Sequence, residues 1–256
     1  MPHKVISLIS VGRHPQSGRS RRADQDSRAV ELGLKLAGTD LDVVHAGSSQ
    51  EPVLRQYAGM GLPKVTVLEQ DERADALVSI AEYLKSEKAD IVLTGVRAES
   101  GESSGMTPYI LSEQLGWPIV ARVADIVDIK EGEAQVLLAL PRGQRRQVTV
   151  KLPFIASIDN AAEAARQSAF GPGLRAKMDS QKGSTVEDSV RVDWSEAPAK
   201  ARPKRLKIVK AKTAADRFKA ATAKPQGGSG KVMKNESAQE QAQAIFDLLI
   251  EEKVIR

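Results

Sequence analysis

The chain contains no cysteine. Disulfides, thiolate metal sites and cysteine nucleophiles are therefore excluded. Histidine is nearly as scarce: only His3, His14 and His45 occur, and none has carboxylates at a metal-site spacing. His45 sits at a strand and reads as a packed or hydrogen-bonded imidazole. Aromatics make up 4% of the 256 residues, so Val, Ile, Leu and Ala must supply the core. No apolar run approaches the roughly 20 residues that span a bilayer. The N-terminal MPHKVISLIS has too short an apolar run, without signal-peptide flanks. The expectation is a soluble cytoplasmic protein.

Acids are missing from one region. Between Ala199 and Lys234 there are many Lys and Arg and a single acid, Asp216. Such a stretch can bind nucleic acid, but no aromatic-rich motif accompanies the charge. It reads as a solvated or partner-covered extension, and no nucleic-acid partner is expected.

What is present is an alternation of two periods. Lys4–Val11 (KVISLISV) is a β-branched apolar run, a buried strand. Asp26–Gly38 places Ala29, Val30, Leu32 and Leu36 on helical spacing, with acid at the start and glycine at the end. Leu41–Gly47, KVTVLE and Asp90–Gly95 are further strands. Helical patterns follow in SSQEPVLRQYAGMG, ADALVSIAEYLKSEKA and MTPYILSEQLG. AQVLLALPRG and RQVTVKLPFIASID read as strands, with a hairpin around Arg142–Arg145. AAEAARQSAFGPG reads as part helix and then a Gly-Pro-Gly break. This pattern predicts an α/β, doubly wound, mainly parallel sheet over residues 1–183. Residues 184–256 form a polar, basic arm ending in a helix. Ser237–Ile255 has Ala244, Ile245, Leu248 and Leu249 on one face, and Ser237 with Glu240 makes a capping box. An apolar face must be buried somewhere, and a partner chain is the natural place.

The segment TGVRAESGESSGMTPYILSEQLGWPIV, from Thr94 to Val120, lies at the carboxyl end of a strand, where ligands bind such sheets. Gly101 and Gly105 let a backbone approach a ligand. Ser103, Ser104 and Thr107 offer hydroxyls. Pro108 suits a first helical turn, which makes Thr107 the expected N-cap and leaves amides for an anion. An ordinary capped loop has the same ingredients. Neither the Walker pattern nor Gly-x-Gly-x-x-Gly occurs in this loop. Glu99, Glu102 and Glu113 read as solvated carboxylates, because no base partner is near in sequence.

The segment resembles the nucleotide loop of electron-transfer flavoprotein β subunits, with Leu115–Pro118 (Leu-Gly-Trp-Pro) as the most specific match. RAVELGLKLAG, VTVKLPFIASIDNAAEAAR and the terminal helix also resemble that family. The resemblance implies a heterodimeric electron carrier without its own catalytic residues. The α subunit would hold most of the FAD site, and the β subunit would hold AMP. Carried over by position, Glu102, Ser103, Ser104, Gly105, Met106 and Thr107 cradle the phosphate. Gly95, Ser10, Ala46 and Gly47 lie at the strand ends around the adenosine. The docking segment is SAFGPGLRAKM, where Gly171 aligns with the family's partner-recognition leucine beside Phe170 and near Leu174. Implied partners are the α subunit, flavin dehydrogenases including an amine-demethylating one, and a membrane quinone oxidoreductase as acceptor. The departures are Ala23-Asp24, with Asp26 two residues on, for Asn-Pro followed by an acid; Glu102 and two serines for an Asp-rich run; and Val96-Arg97 for Lys-Gln. A second reading is an adenine-nucleotide-binding stress or signalling sensor of the same α/β class.

Overall fold

The structure, a computed structural model, describes residues 3–100, 103–195, 197, 213–222, 233–234 and 236–251. Contacts divide the chain into two units, Met1–Ser195 and Glu196–Arg256. Most of the acid-poor stretch Ala199–Lys234 lies outside the described residues.

The first unit is built on nine strands in the order β11-β5-β4-β1-β6-β10-β7-β8-β9. These are β1 (Val5–Leu8), β4 (Asp42–Gly47), β5 (Lys64–Glu69), β6 (Ile91–Gly95), β7 (Ile119–Lys130), β8 (Glu133–Ala139), β9 (Arg145–Lys151), β10 (Phe154–Ile158) and β11 (Lys177–Lys182). A small antiparallel ribbon, β2 (Val11–Arg13) with β3 (Ser20–Arg22), follows β1. The strands from β11 to β7 pair in parallel, and β8 and β9 add antiparallel strands at one edge. The doubly wound α/β class read from the alternation is the one observed.

Strand residues alternate between two cores. Val5, Ile9, Val43, Ile91 and Leu93 face one side with residues of helices α1 (Asp24–Ala37) and α2 (Val53–Ala58). Ile6, Leu8, Val44, Val92 and Ile155 face the other, with α3 (Ala76–Ser86) and α4 (Thr107–Leu115). Burial on both faces is what makes the central strands nearly continuous in apolar residues. The order also places the switch point. From β1 the chain winds to β4 and β5, and from β6 it winds toward β10 and β7. The crevice therefore lies at the carboxyl ends of β1 and β6.

Four local readings are corrected. The first apolar run is not one strand: it breaks after Leu8 and resumes as β2, because Ser10 turns toward α1. RQVTVKLPFIASID is two strands, β9 and β10, on opposite sides of β7. The helix in AAEAARQSAFGPG is displaced. Residues 161–169 are not helical, and the helix is α5 (Phe170–Arg175), which contains the Gly-Pro-Gly. Backbone groups before it are held elsewhere: Arg28 donates to Ala162 O at 2.6 Å, and the Ala169 amide donates to Gly59 O at 2.9 Å. Arg55 Nη1 donates to the Leu174 and Ala176 carbonyls, closing α5 at its end. A Cβ on Gly173 would lie 2.4 Å from Arg55 O, so glycine lets α5 sit on α2. Finally, β11 is polar and had no strand signal; it gains its order by pairing with β5 along six residues.

The segment after β11 packs on the start of α3 and the residue before it. The Ser184 amide donates to Ser79 Oγ at 2.7 Å, and the Asp75 amide to Val186 O at 2.8 Å. A one-turn helix, α6 (Ser189–Val192), follows. In the second unit the described helices are α7 (Ala214–Thr222) and α8 (Ala238–Glu251).

Candidate functional site at the switch-point crevice

The floor of the crevice is a polar staple. Asp26, on the first turn of α1, is buried. Its carboxylate accepts from the Ser10 amide at 2.8 Å, Ser10 Oγ at 2.5 Å and the Gly95 amide at 3.1 Å. One side chain thus ties the ends of β1 and β6. Burial pushes the Asp26 carboxyl up to about 6, against the pull of the Ser10 and Gly95 hydrogen bonds. Beside it, Gln25 Oε1 accepts from the Val96 and Arg97 amides at 3.0 and 3.2 Å. Tyr57 supports the staple from α2: its hydroxyl donates to Ser10 O at 2.9 Å and accepts from the Ala23 amide at 2.8 Å.

The loop after β6 folds back on the β2–β3 ribbon. Glu99 pairs with Arg21 through two contacts of 3.0 and 3.1 Å and accepts from the Asp24 amide at 2.8 Å. It is therefore not the solvated carboxylate expected from the sequence. Glu113 is exposed, as expected. Ser100 Oγ donates to Val11 O at 2.6 Å.

The second half of the loop reaches α4. Ser103 has φ 57° and donates through Oγ to Ala98 O. Ser104 Oγ accepts from the Met106 amide at 3.2 Å. Gly105 has φ 81°, and a Cβ there would lie 2.8 Å from Val96 O, so only glycine suits this turn. Thr107 is exposed and is the first residue of α4, not its cap. The cap position is Met106, with no side-chain cap bond. The turn at Gly105 and the Ser104–Met106 bond start the helix one residue early. At this helix start the Tyr109 and Ile110 amides donate to Met106 O at 3.0 and 2.9 Å, and Pro108 has no N–H. Glu102 and Gly101 lie outside the described residues.

Of the other sequence-predicted positions, Ser10, Ala46 and Gly47 are half-buried at the ends of β1 and β4. Gly95 is buried; a Cβ on it would lie 2.4 Å from Asp26 Oδ1, so this glycine serves the staple. His45 is a packed imidazole: its Nδ1 lies 3.1 Å from Ile9 O, and burial lowers its pKa. Sequence reasoning noted Asp26 only as the acid at the helix start, and missed Gln25 and Tyr57. The signal was an acid and an amide at the first turn of the helix after β1, in a fold whose helix starts flank the crevice. Gly101–Gly105 also spells Gly-x-Ser-x-Gly, the string of a nucleophile elbow. The context is wrong for one: Ser103 is on a long loop rather than a sharp strand-to-helix turn, and its hydroxyl is bound to Ala98 O.

Away from the crevice, α5 presents apolar surface. Phe170 is 84% exposed and Leu174 61%. Phe170 therefore does not pack into its own core. Among the described residues no group of His, Cys, Asp and Glu is arranged to hold a metal ion, and no helix is long and apolar enough to cross a membrane.

An electron transfer flavoprotein domain model matches residues 17–192. An electron transfer flavoprotein subunit beta from Chromohalobacter salexigens is 47% identical over 256 residues, covering 99% of this chain and 96% of that protein. Its namesake from Syntrophomonas wolfei is 31% identical over 183 residues, 68% of this chain and 71% of its own length. A probable electron transfer flavoprotein subunit beta from Schizosaccharomyces pombe is 28% identical over 142 residues, 51% and 55% of the two chains. With identity running almost end to end and the family model spanning Asp26, Tyr57, the loop after β6 and α5, this chain belongs to the electron transfer flavoprotein β-subunit family.

Proposed function

We propose that the chain is the β subunit of a heterodimeric electron carrier whose α subunit holds most of the FAD, and that its own crevice binds AMP as a structural ligand. The observation that carries the AMP reading is the crevice at the switch point, lined by the small half-buried residues Ser10, Ala46, Gly47, Ser103 and Gly105. The amides of Gly95, Val96 and Arg97 are already used by Asp26 and Gln25. The residues present therefore suit a phosphate only at the far half of the loop, Ser103–Thr107, where the exposed Thr107 brings its amide and hydroxyl to the start of α4. Glu102 belongs to the proposed cradle by position. Bound AMP stabilises the fold by mass action; the chain's residues bind and orient it and take part in no reaction of it.

Electrons enter from flavin dehydrogenases, an amine-demethylating one among them, and leave toward a membrane quinone oxidoreductase. Phe170 and Leu174, with Gly171 between them, are the docking anchor; large apolar side chains in solvent are what such anchors present before binding. The exposed face of α8 packs on the α subunit.

The test is the nucleotide content of the co-purified heterodimer, read by chromatography of an acid extract. Thr107→Val combined with Ser104→Ala should lower AMP and the melting temperature together. Normal AMP in that variant would remove the cradle assignment. For docking, Phe170→Ala should raise the KM for the cognate dehydrogenase and leave flavin content unchanged. Wild-type kinetics would show that Phe170 is not the anchor.

A further inference from the structure

No Asp or Glu occurs before Asp24, whereas Arg13, Arg19, Arg21 and Arg22 lie on the β2–β3 ribbon or in its turn. The structure divides these four by their partners. Arg21 is held by Glu99. Arg22 is half-buried and donates through both Nη atoms to Arg166 O at 3.3 Å. Arg13 and Arg19 are exposed, and neither side chain makes a hydrogen bond or ion pair among the described residues. The acids beside the ribbon are already engaged: Asp24 by Arg28, Glu31 by Arg166 and Glu99 by Arg21. The ribbon is also held at both ends. At its base Ser100 Oγ donates to Val11 O at 2.6 Å, and a Cβ on Gly12 would lie 2.6 Å from Glu99 Oε2. At its tip the His14 amide donates to Arg19 O at 2.9 Å, and His14 Nδ1 accepts from the Gln16 and Ser17 amides at 3.3 and 3.2 Å. A backbone fixed in this way has little freedom left to lose when its cations meet an anion.

The ribbon's place points to the owner of that anion. β3 and α5 both pack on α2. The register pairs Val11 with Arg22 and Arg13 with Ser20, so alternation puts Arg13 on the same ribbon face as Arg22. Arg22 in turn reaches Arg166, four residues before the exposed Phe170. We infer that the β2–β3 ribbon is the electrostatic half of the dehydrogenase docking surface, where Arg13 and Arg19 meet carboxylates of the electron donor beside the pocket that takes Phe170. This rests on the docking reading above and adds the partner's chemistry: a face with an apolar pocket flanked by acidic groups. The two halves do different work. Exposed charges raise the rate of encounter and make it salt-dependent. A buried apolar anchor sets how long the complex lasts. Salt therefore separates them.

The experiment uses the co-expressed heterodimer as acceptor and a purified amine-demethylating flavin dehydrogenase as donor. kcat/KM for flavin reduction is measured at about 20 mM and about 300 mM salt, between which the screening length falls about fourfold. In the wild type it should drop about tenfold or more across that range. Arg13→Gln combined with Arg19→Gln should remove most of that drop: about tenfold below wild type at low salt, level with it at high salt, with flavin content and co-elution of the subunits unchanged. Arg13→Lys combined with Arg19→Lys keeps the charge and should keep the wild-type slope. Phe170→Ala should raise KM at both salts and keep the slope. A flat wild-type profile, or an unchanged slope in the Gln variant, would overturn the ribbon's role while leaving the Phe170 anchor standing. A Gln variant that no longer co-elutes with the α subunit would put the ribbon at the subunit interface and overturn it as well. A wild type that the donor does not reduce would overturn the docking reading itself, and the inference with it.

Discussion

Helices α1 and α8 have the same length, fourteen residues, and opposite kinds of support. α1 has Ala23 at its cap position and so no side-chain cap, yet buries Asp26, Ser27, Ala29, Val30, Leu32, Gly33 and Leu34. α8 has a complete capping box: the Ser237 amide and hydroxyl donate to Glu240 Oε2 at 2.8 Å, and the Glu240 amide donates back to Ser237 Oγ at 3.3 Å. Among its described residues none is buried, and Ile245, Phe246 and Leu248 are 50–61% exposed. Packing can hold a helix that has little local signal, and local signals can define one whose described side chains are not buried. The second kind carries an apolar face that is exposed among the described residues, which is the physical ground for the proposed contact with the α subunit.

The largest effect should separate the two helices directly. Leu32→Ala in α1 removes a buried side chain and should cost about 2–5 kcal/mol of core stability in denaturant unfolding. Leu248→Ala in α8 should change the stability of the isolated chain by less than about 0.5 kcal/mol, yet weaken co-elution with the α subunit. An unfolding shift for Leu248→Ala as large as that for Leu32→Ala would erase the distinction.

The polar start of α1 gives the next effect, with a defined sign. The Asp26 pKa rises from 3.8 to about 6 because burial disfavours its charge, and at about 1.36 kcal/mol per unit this is about 3 kcal/mol. A raised acid favours the native state when protonated. Its contribution is fully present below pH 3.8 and is lost as pH rises through about 6. Between pH 7 and pH 5 the wild type should therefore gain stability from this group, and Asp26→Asn should lack that slope. Glu31 works the other way. Its carboxylate, held by Arg166 at 2.7 Å, has a pKa below 4.5, so its contribution is present above pH 4.5 and is lost as pH falls further. Urea unfolding at pH 7 and pH 5 reads the Asp26 slope; equal slopes in wild type and variant would refute it.

The smallest effect belongs to the cap of α8. Ser237→Ala should destabilise that helix by about 1 kcal/mol, seen as faster amide exchange in its first turn, with the exchange of β1 and β6 unchanged. Uniformly unchanged exchange would mean that the box does not support α8.

The sequence by itself determined what depends on near neighbours. The period-two and helical runs identified the parallel core, the hairpin β8–β9 and the crevice end of β6. Ser237 and Glu240, three residues apart, wrote their own capping box. Tertiary structure decided what depends on groups far apart in the chain. Asp26 and Gly95 meet across 69 residues, and Gln25 and Val96 across 71; no local pattern says that these amides are taken before any ligand arrives. The same holds for β11, whose polar residues form a strand only because β5 offers an open edge, and for the Gly-Pro-Gly turn of α5, helical because Arg55 binds its carbonyls and α2 leaves room only for Gly173. Backbone hydrogen bonds must be satisfied wherever they are buried, and which distant group satisfies them is settled only when the sheet has closed.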